Sequence, residues 1–193
     1  MSAVALTAED ILVAAETALR RFGPDKATVV DVARALGVSH GSVYRHFASK
    51  AALRDAVTQR WLEGISLPLR EIAQQSTPAP QRLRQWFDTL RELQRTKATD
   101  DPELFATYRA IVIDSRDVVT EHADQLTDQI AHIVRDGIAS GDFSQADVDT
   151  TASGIFSATL RFHQPLHAGE WGTQENNAAF QALWRLLMRA LRP

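Results

Sequence analysis

Apolar residues recur every three or four positions along almost the whole chain, and no stretch alternates polar with apolar convincingly enough to make a strand. That period belongs to helices with one buried face, so a sheet-based fold is excluded and an all-α fold is expected. Local punctuation divides the pattern. Thr7 and Asp10 have capping-box spacing and open a segment carrying Ile11, Ala14, Ala15, Ala18, Leu19 and Phe22, which Gly23-Pro24 stops. Thr28 and Asp31 open a second, shorter helix with Val32, Ala33 and Leu36, closed by Gly37. Ser39 caps a third running to about His46, and Ser49 a fourth through Leu53, Val57, Trp61 and Ile65. After a loop at Thr77-Pro78-Ala79-Pro80, a helix carries Leu83, Trp86, Phe87, Leu90 and Leu93, and Asp101-Pro102 starts another. A long helix is expected over about 115–140. The next is opened by Ser144 with Asp147, and the last covers about 175–191.

The composition excludes several classes of function. With no cysteine, there is no disulfide, thiolate nucleophile or cysteine-bound metal. Hydrophobic residues at 45% and charged residues at 23% are ordinary for a soluble globular chain. The opening MSAVALTAEDIL lacks the cationic start of a secretory signal, and no apolar run is long enough for a membrane span, so a cytoplasmic protein is expected. The net charge of -3 conceals an asymmetry: residues 1–60 hold eight basic against six acidic side chains, and the remainder thirteen against eighteen. That split favours an anion-facing N-terminal part and a different job for the remainder. Asp114, Asp117, Glu121, Asp124 and Asp128 read as a solvated acidic helix face. His163 and His167 are four apart, but Pro165 interrupts the helix that a metal pair would need. No glycine-rich phosphate loop or nucleophile elbow is present, so no catalytic residue, metal or cofactor is expected.

The most informative stretch is GVSHGSVYRHF, residues 37–47. Two short helices joined by a tight glycine turn have the form of a helix-turn-helix. Ala33 is small enough for a close crossing, Gly37 permits the turn, and Val32, Leu36, Val38 and Val43 fill the core between them. The third helix begins with His40, Gly41 and Ser42, so nothing bulky blocks its leading end, which suits base edges in a major groove. Tyr44, Arg45, His46 and Lys50 then reach the sugar-phosphate rails, the usual partners of phenols, guanidinium groups and ammonium groups. A Tyr-Arg-His run is also a common solvated face, and serines at these places cap helices whatever else they do.

Residues 7–56 resemble the DNA-binding region of the TetR family of bacterial transcriptional regulators. The resemblance rests on Thr28, on Val38-Ser39, on Gly41, on the run Tyr44, His46 and Phe47, and on Lys50. It implies phosphate contacts from Thr28, Tyr44, His46 and Lys50, and base or backbone contacts from Ser39, His40, Gly41, Ser42 and Arg45. There are departures. Val30 stands where many members carry a basic residue, Ala51 where a glutamate is frequent, and the arm before Thr7 lacks arginine and lysine.

On this reading residues 1–50 form the DNA-binding domain and 51–193 a helical ligand-binding and dimerisation domain. One short recognition helix buries too little surface for tight binding, so a homodimer on a double-stranded operator is expected. Ala152, Ser157, Phe180, Leu183, Trp184 and Leu187 are its candidate interface residues. The resemblance further implies a pocket for a small apolar or aromatic effector that releases a repressor from its operator. Trp86, Phe87, Leu90, Phe105, Tyr108, Phe156, Phe162, His163 and Trp171 are candidate lining residues, each of which could equally be core. The alternative is a small-molecule-binding or protein-interaction bundle that keeps a vestigial helix-turn-helix.

Overall fold

The computed structural model describes residues 5–111 and 115–193; Asp114 of the expected acidic face lies outside them. The described residues form nine α-helices and two 3₁₀ turns, with no strand among them. The helices are α1 (Ala8–Lys26), α2 (Val29–Leu36), α3 (His40–Tyr44), α4 (Lys50–Ala73), α5 (Ala79–Asp100), α6 (Pro102–Ile111), α7 (Arg116–Ser140), α8 (Val148–Thr159) and α9 (Gln174–Ala190). The 3₁₀ turns, Leu160–Phe162 and Pro165–Glu170, lie between α8 and α9.

The local signals act where the sequence puts them. Thr7 and Thr28 each form a complete capping box with the aspartate three residues on. Gly23 adopts φ 75°, which breaks the helical path inside α1. Asp101 accepts the Leu104 N–H at 3.2 Å, as the Asp-Pro start requires. Two expectations are corrected. α8 is capped by Asp147 alone, which accepts the Thr150 N–H at 2.8 Å, while the Ser144 N–H goes to the Leu191 carbonyl. α3 ends at Tyr44 rather than His46: the N–H groups of His46 and Phe47 both turn onto the Val43 carbonyl, closing the helix and bringing Phe47 against the core.

The chain divides into two compact units. The first comprises residues 1–62 and 101–119, so it takes in α6 as well as the helix-turn-helix and extends past residue 50. Its core gathers Ile11, Ala15, Val32, Ala33, Val43, Leu53 and Val57 with Leu104 and Ile111 from α6. Alanines along α1 allow close packing, and each large apolar side chain so buried contributes about 1.5–3 kcal/mol. At its surface Arg20 holds Asp101 at 2.6 Å, and Arg60 pairs with Glu9 and with Glu16 (2.8 Å). Trp61 stacks on Tyr108 at 5.3 Å, and burial raises the Tyr108 hydroxyl pKa.

The second unit comprises residues 63–100 and 120–193. Leu69, Leu83, Trp86, Phe87, Leu90, Ile130, Ile133, Val134 and Phe180 are buried in it. The Trp86 indole donates to Gln129 Oε1 at 2.9 Å, and the Gln129 amide donates to the Ser66 carbonyl at 3.1 Å. Both polar side chains are thereby satisfied inside the core. Arg82 caps the C-terminal end of α4 by donating to the carbonyls of Ala73 and Gln75 at 3.1 and 2.6 Å. His163, also buried, lies 3.2 Å from the Thr159 hydroxyl and against Phe156. Burial lowers its pKa to about 3, with His122 and Arg91 adding to the effect.

Candidate nucleic-acid interface

The helix-turn-helix is built by three local devices. Thr28 fixes the start of α2: its hydroxyl accepts the Asp31 N–H at 3.2 Å and donates to the Asp31 carboxylate at 2.6 Å. These bonds, the Thr28 side chain first, hold the Asp31 pKa below the usual carboxylate value. Gly37 then adopts φ 67°, ψ 28°, letting its own N–H and that of Val38 fold back onto the Arg34 and Ala33 carbonyls. Finally Ser39 caps α3 by accepting the Ser42 N–H at 3.1 Å. Val43 is buried beneath α3 against Val32 and Ala33, which leaves the opposite face outward.

That outward face holds the residues expected from sequence. Ser39, His40, Gly41, Tyr44, Arg45 and His46 are exposed, as are Thr28 at the start of α2 and Lys50 at the start of α4. Ser42 is half-buried because it works within the surface. Its hydroxyl lies 2.9 Å from the Ser39 hydroxyl and accepts from the Arg45 guanidinium at 3.0 Å. This chain of hydrogen bonds sets the direction of Arg45 before any ligand arrives. His40 and Tyr44 meet edge to face at 6.3 Å, so the leading imidazole and the phenol are also mutually positioned. Val30, 52% exposed, leaves an apolar spot at the start of α2. Hydroxyl, imidazole, phenol, guanidinium and ammonium groups predominate, and the Asp31 carboxylate that borders them is held by the Thr28 hydroxyl and the Arg34 guanidinium, so the surface suits a polyanion.

The residues proposed to line a pocket fall into different surroundings. Phe105 and Tyr108 belong to the first unit, and the other seven to the second. Trp86, Phe87 and Leu90 are sealed in the core, with Trp86 edge-on to Phe87 at 4.8 Å. The Phe156 and His163 rings meet at 5.2 Å, tilted by 35°. Phe162 and Trp171 instead line an open cleft of about 430 Å³, together with Arg91 and Asn176. Sequence reasoning passed over those last two, because an arginine and an asparagine on amphipathic helices look like solvated surface. Of the candidate interface residues, Ala152 and Phe180 are corrected. Both are fully buried within this chain and have no area to offer a second copy. Ser157 is exposed, and Leu183, Trp184 and Leu187 are partly so.

A family model described as bacterial regulatory proteins of the tetR family matches residues 11–57. A second, for tetracyclin repressor-like C-terminal domains, matches residues 79–184, more than half of the chain. The chain belongs to the TetR family. Solved structures of TetR-like fold agree over nearly the full length. A Rhodococcus protein described as of unknown function has 24% identity and a TM-score of 0.69, covering 98% of this chain and 97% of its own. The fatty acid degradation regulator FadR from Bacillus halodurans has 17% identity and a TM-score of 0.68, with 97% of each chain covered. FadR from Bacillus subtilis, in complex with stearoyl-CoA, has 16% identity and a TM-score of 0.66, covering 96% of this chain and all of its own. At these identities the likeness is one of fold. No curated protein matches the sequence. Among the described residues of this TetR-family chain, no helix is long and apolar enough to cross a membrane.

Proposed function

We propose that this TetR-family protein is a cytoplasmic homodimer that binds a pseudo-palindromic DNA operator as a repressor and leaves it when a small molecule binds. The observation that carries the reading is the outward face of α3. His40 and Tyr44 are stacked edge to face there, and Arg45 is tethered through Ser42 to the cap of the same helix. His40, Ser42 and Arg45 read bases, while Thr28, Tyr44, His46 and Lys50 hold phosphates.

Two copies are needed because a five-residue recognition helix covers too little of a groove on its own. Exposed Ser153, Gly154, Ser157 and Ala158 on α8, with Leu186 of α9 at 62% exposure, support an interface built from these two helices. The complex of the similar Bacillus subtilis FadR with stearoyl-CoA supports a small-molecule site in the second unit. Such a molecule can shift the equilibrium only by its difference in affinity for the DNA-compatible and DNA-incompatible forms.

The test is selection of bound DNA from random fragments, followed by salt titration on the recovered site. Lys50→Ala should weaken binding on all sequences and reduce the salt slope by about one. Tyr44→Ala should weaken binding similarly across sequences without changing the helical content. Parental affinity in both variants would overturn the assignment.

A further inference from the structure

We infer that the cleft between α5 and the Trp171–Asn177 segment binds a small aromatic monocarboxylate, with Arg91 as the anion's partner and Asn176 as a second polar contact. The inference rests on the effector reading above, and names the site and the ligand class.

The charges along α5 are unequally matched. Arg84 holds Asp88 at 2.6 Å, and Arg95 holds Glu92 through two bonds of 3.0 and 2.6 Å. Arg91 lies 3.9 Å from Asp88 and donates to the neutral side-chain amide oxygen (Oδ1) of Asn177 at 2.7 Å. It is half-buried, and its guanidinium sits 4.1 Å over the Phe180 ring, which fixes its plane. Burial lowers its pKa; Asp88 opposes that and Arg84 adds to it, and at 3.9 Å Asp88 is too far to hydrogen-bond the guanidinium. A carboxylate supplies what is missing, in the two-oxygen form that a guanidinium recognises.

Asn176 gives an independent sign. It lines the same cleft, is only 2% exposed, and neither its amide nitrogen nor its amide oxygen has a partner. Its backbone N–H is already taken by the Thr173 cap at 3.1 Å. A buried amide with both ends unmet is rare in a finished fold and common where a ligand completes the bonding. One donor and one acceptor together suit a hydroxyl or a carboxylic oxygen.

The walls select the remaining features. Trp171, partly exposed, offers apolar surface for a ring, and the largely buried Phe162 lines the same cleft. Asp88 and Glu92 on the same wall disfavour a dianion, so one negative charge fits and a phosphate monoester does not. A volume of about 430 Å³ suits a compact aromatic acid.

The test is calorimetric titration of the full chain with benzoate, phenylacetate and 4-hydroxybenzoate, each against its neutral amide. At least one acid should bind with a Kd below about 1 mM, and its amide roughly tenfold more weakly. Arg91→Met, which keeps an unbranched stem and removes the charge, should lose roughly tenfold in affinity. Asp88→Asn should bind the acid more tightly, a gain that misfolding cannot imitate. Failure of all three acids to bind, acid and amide binding equally, or an unchanged affinity in both variants would overturn the inference. Because this readout needs no DNA, it separates the two readings. Operator binding without acid binding removes only the cleft assignment, and acid binding without operator binding removes only the regulatory one.

Discussion

Gly137 shows how strictly a single position can be set. A Cβ there would lie 2.2 Å from Phe143 Cδ2 and 2.8 Å from the Ala79 side chain, closer than real atoms approach. Gly137→Ala should therefore destabilise the protein by about 1–3 kcal/mol through overpacking, seen as a Tm lower by several degrees. An unchanged Tm would show that Phe143 moves aside freely. Arg45 makes the complementary case at the surface, where its bond to Ser42 sets its direction, and the proposed function makes it a base reader. Arg45→Ala should lose about 1–3 kcal/mol on the preferred operator and relax the choice at one base pair, in competition binding against substituted sites. Capping residues such as Thr7, Thr28 and Ser39 were legible in the sequence because their partners lie three residues away. Asn176 was not legible, since nothing local shows that a polar residue in the first turn of α9 ends up buried.

At the level of elements, the nine helices of the described residues are close to those that periodicity and caps indicate, because both signals are properties of a single segment. What covers each apolar face is a tertiary matter. Phe180 and Ala152 lie on faces that period alone assigned to a partner, yet the chain's own core takes them. Other positions on the same two helices are left outward: Gly154 meets nothing within 4 Å of an added Cβ, and Leu186 is open to solvent. Gly154→Arg and Leu186→Asp should each shift the protein from dimer to monomer in sedimentation equilibrium, with far-ultraviolet circular dichroism unchanged. A dimer of undiminished strength in both would place the interface on other helices.

For the whole molecule, acidity is a lever built into the second unit. Burial holds His163 at a pKa of about 3 and His122 at about 4, against 6.5 when exposed. Below pH 6.5 the unfolded chain takes up protons that the folded chain refuses, so stability falls as pH drops from about 6.5 towards 4. Each histidine contributes at most about 1.4 kcal/mol per pH unit. Urea unfolding at pH 7 and pH 5 should show the loss, and His163→Asn, which can still pair with Thr159, should reduce the slope. An identical slope in that variant would mean His163 protonates freely in the folded state. The all-α fold and the outward face of α3 were legible along the chain, whereas the unit boundaries were not, because α6 joins the first unit from forty residues downstream. That excursion bears on engineering. A chimera that exchanges DNA readers between relatives by one splice after α3 would strand Ile11 and Val43 without their own Leu53, Leu104 and Ile111. A working graft has to carry three junctions, near residues 62, 100 and 119, and a gene fragment ending at Leu62 should express as an unfolded, protease-sensitive peptide.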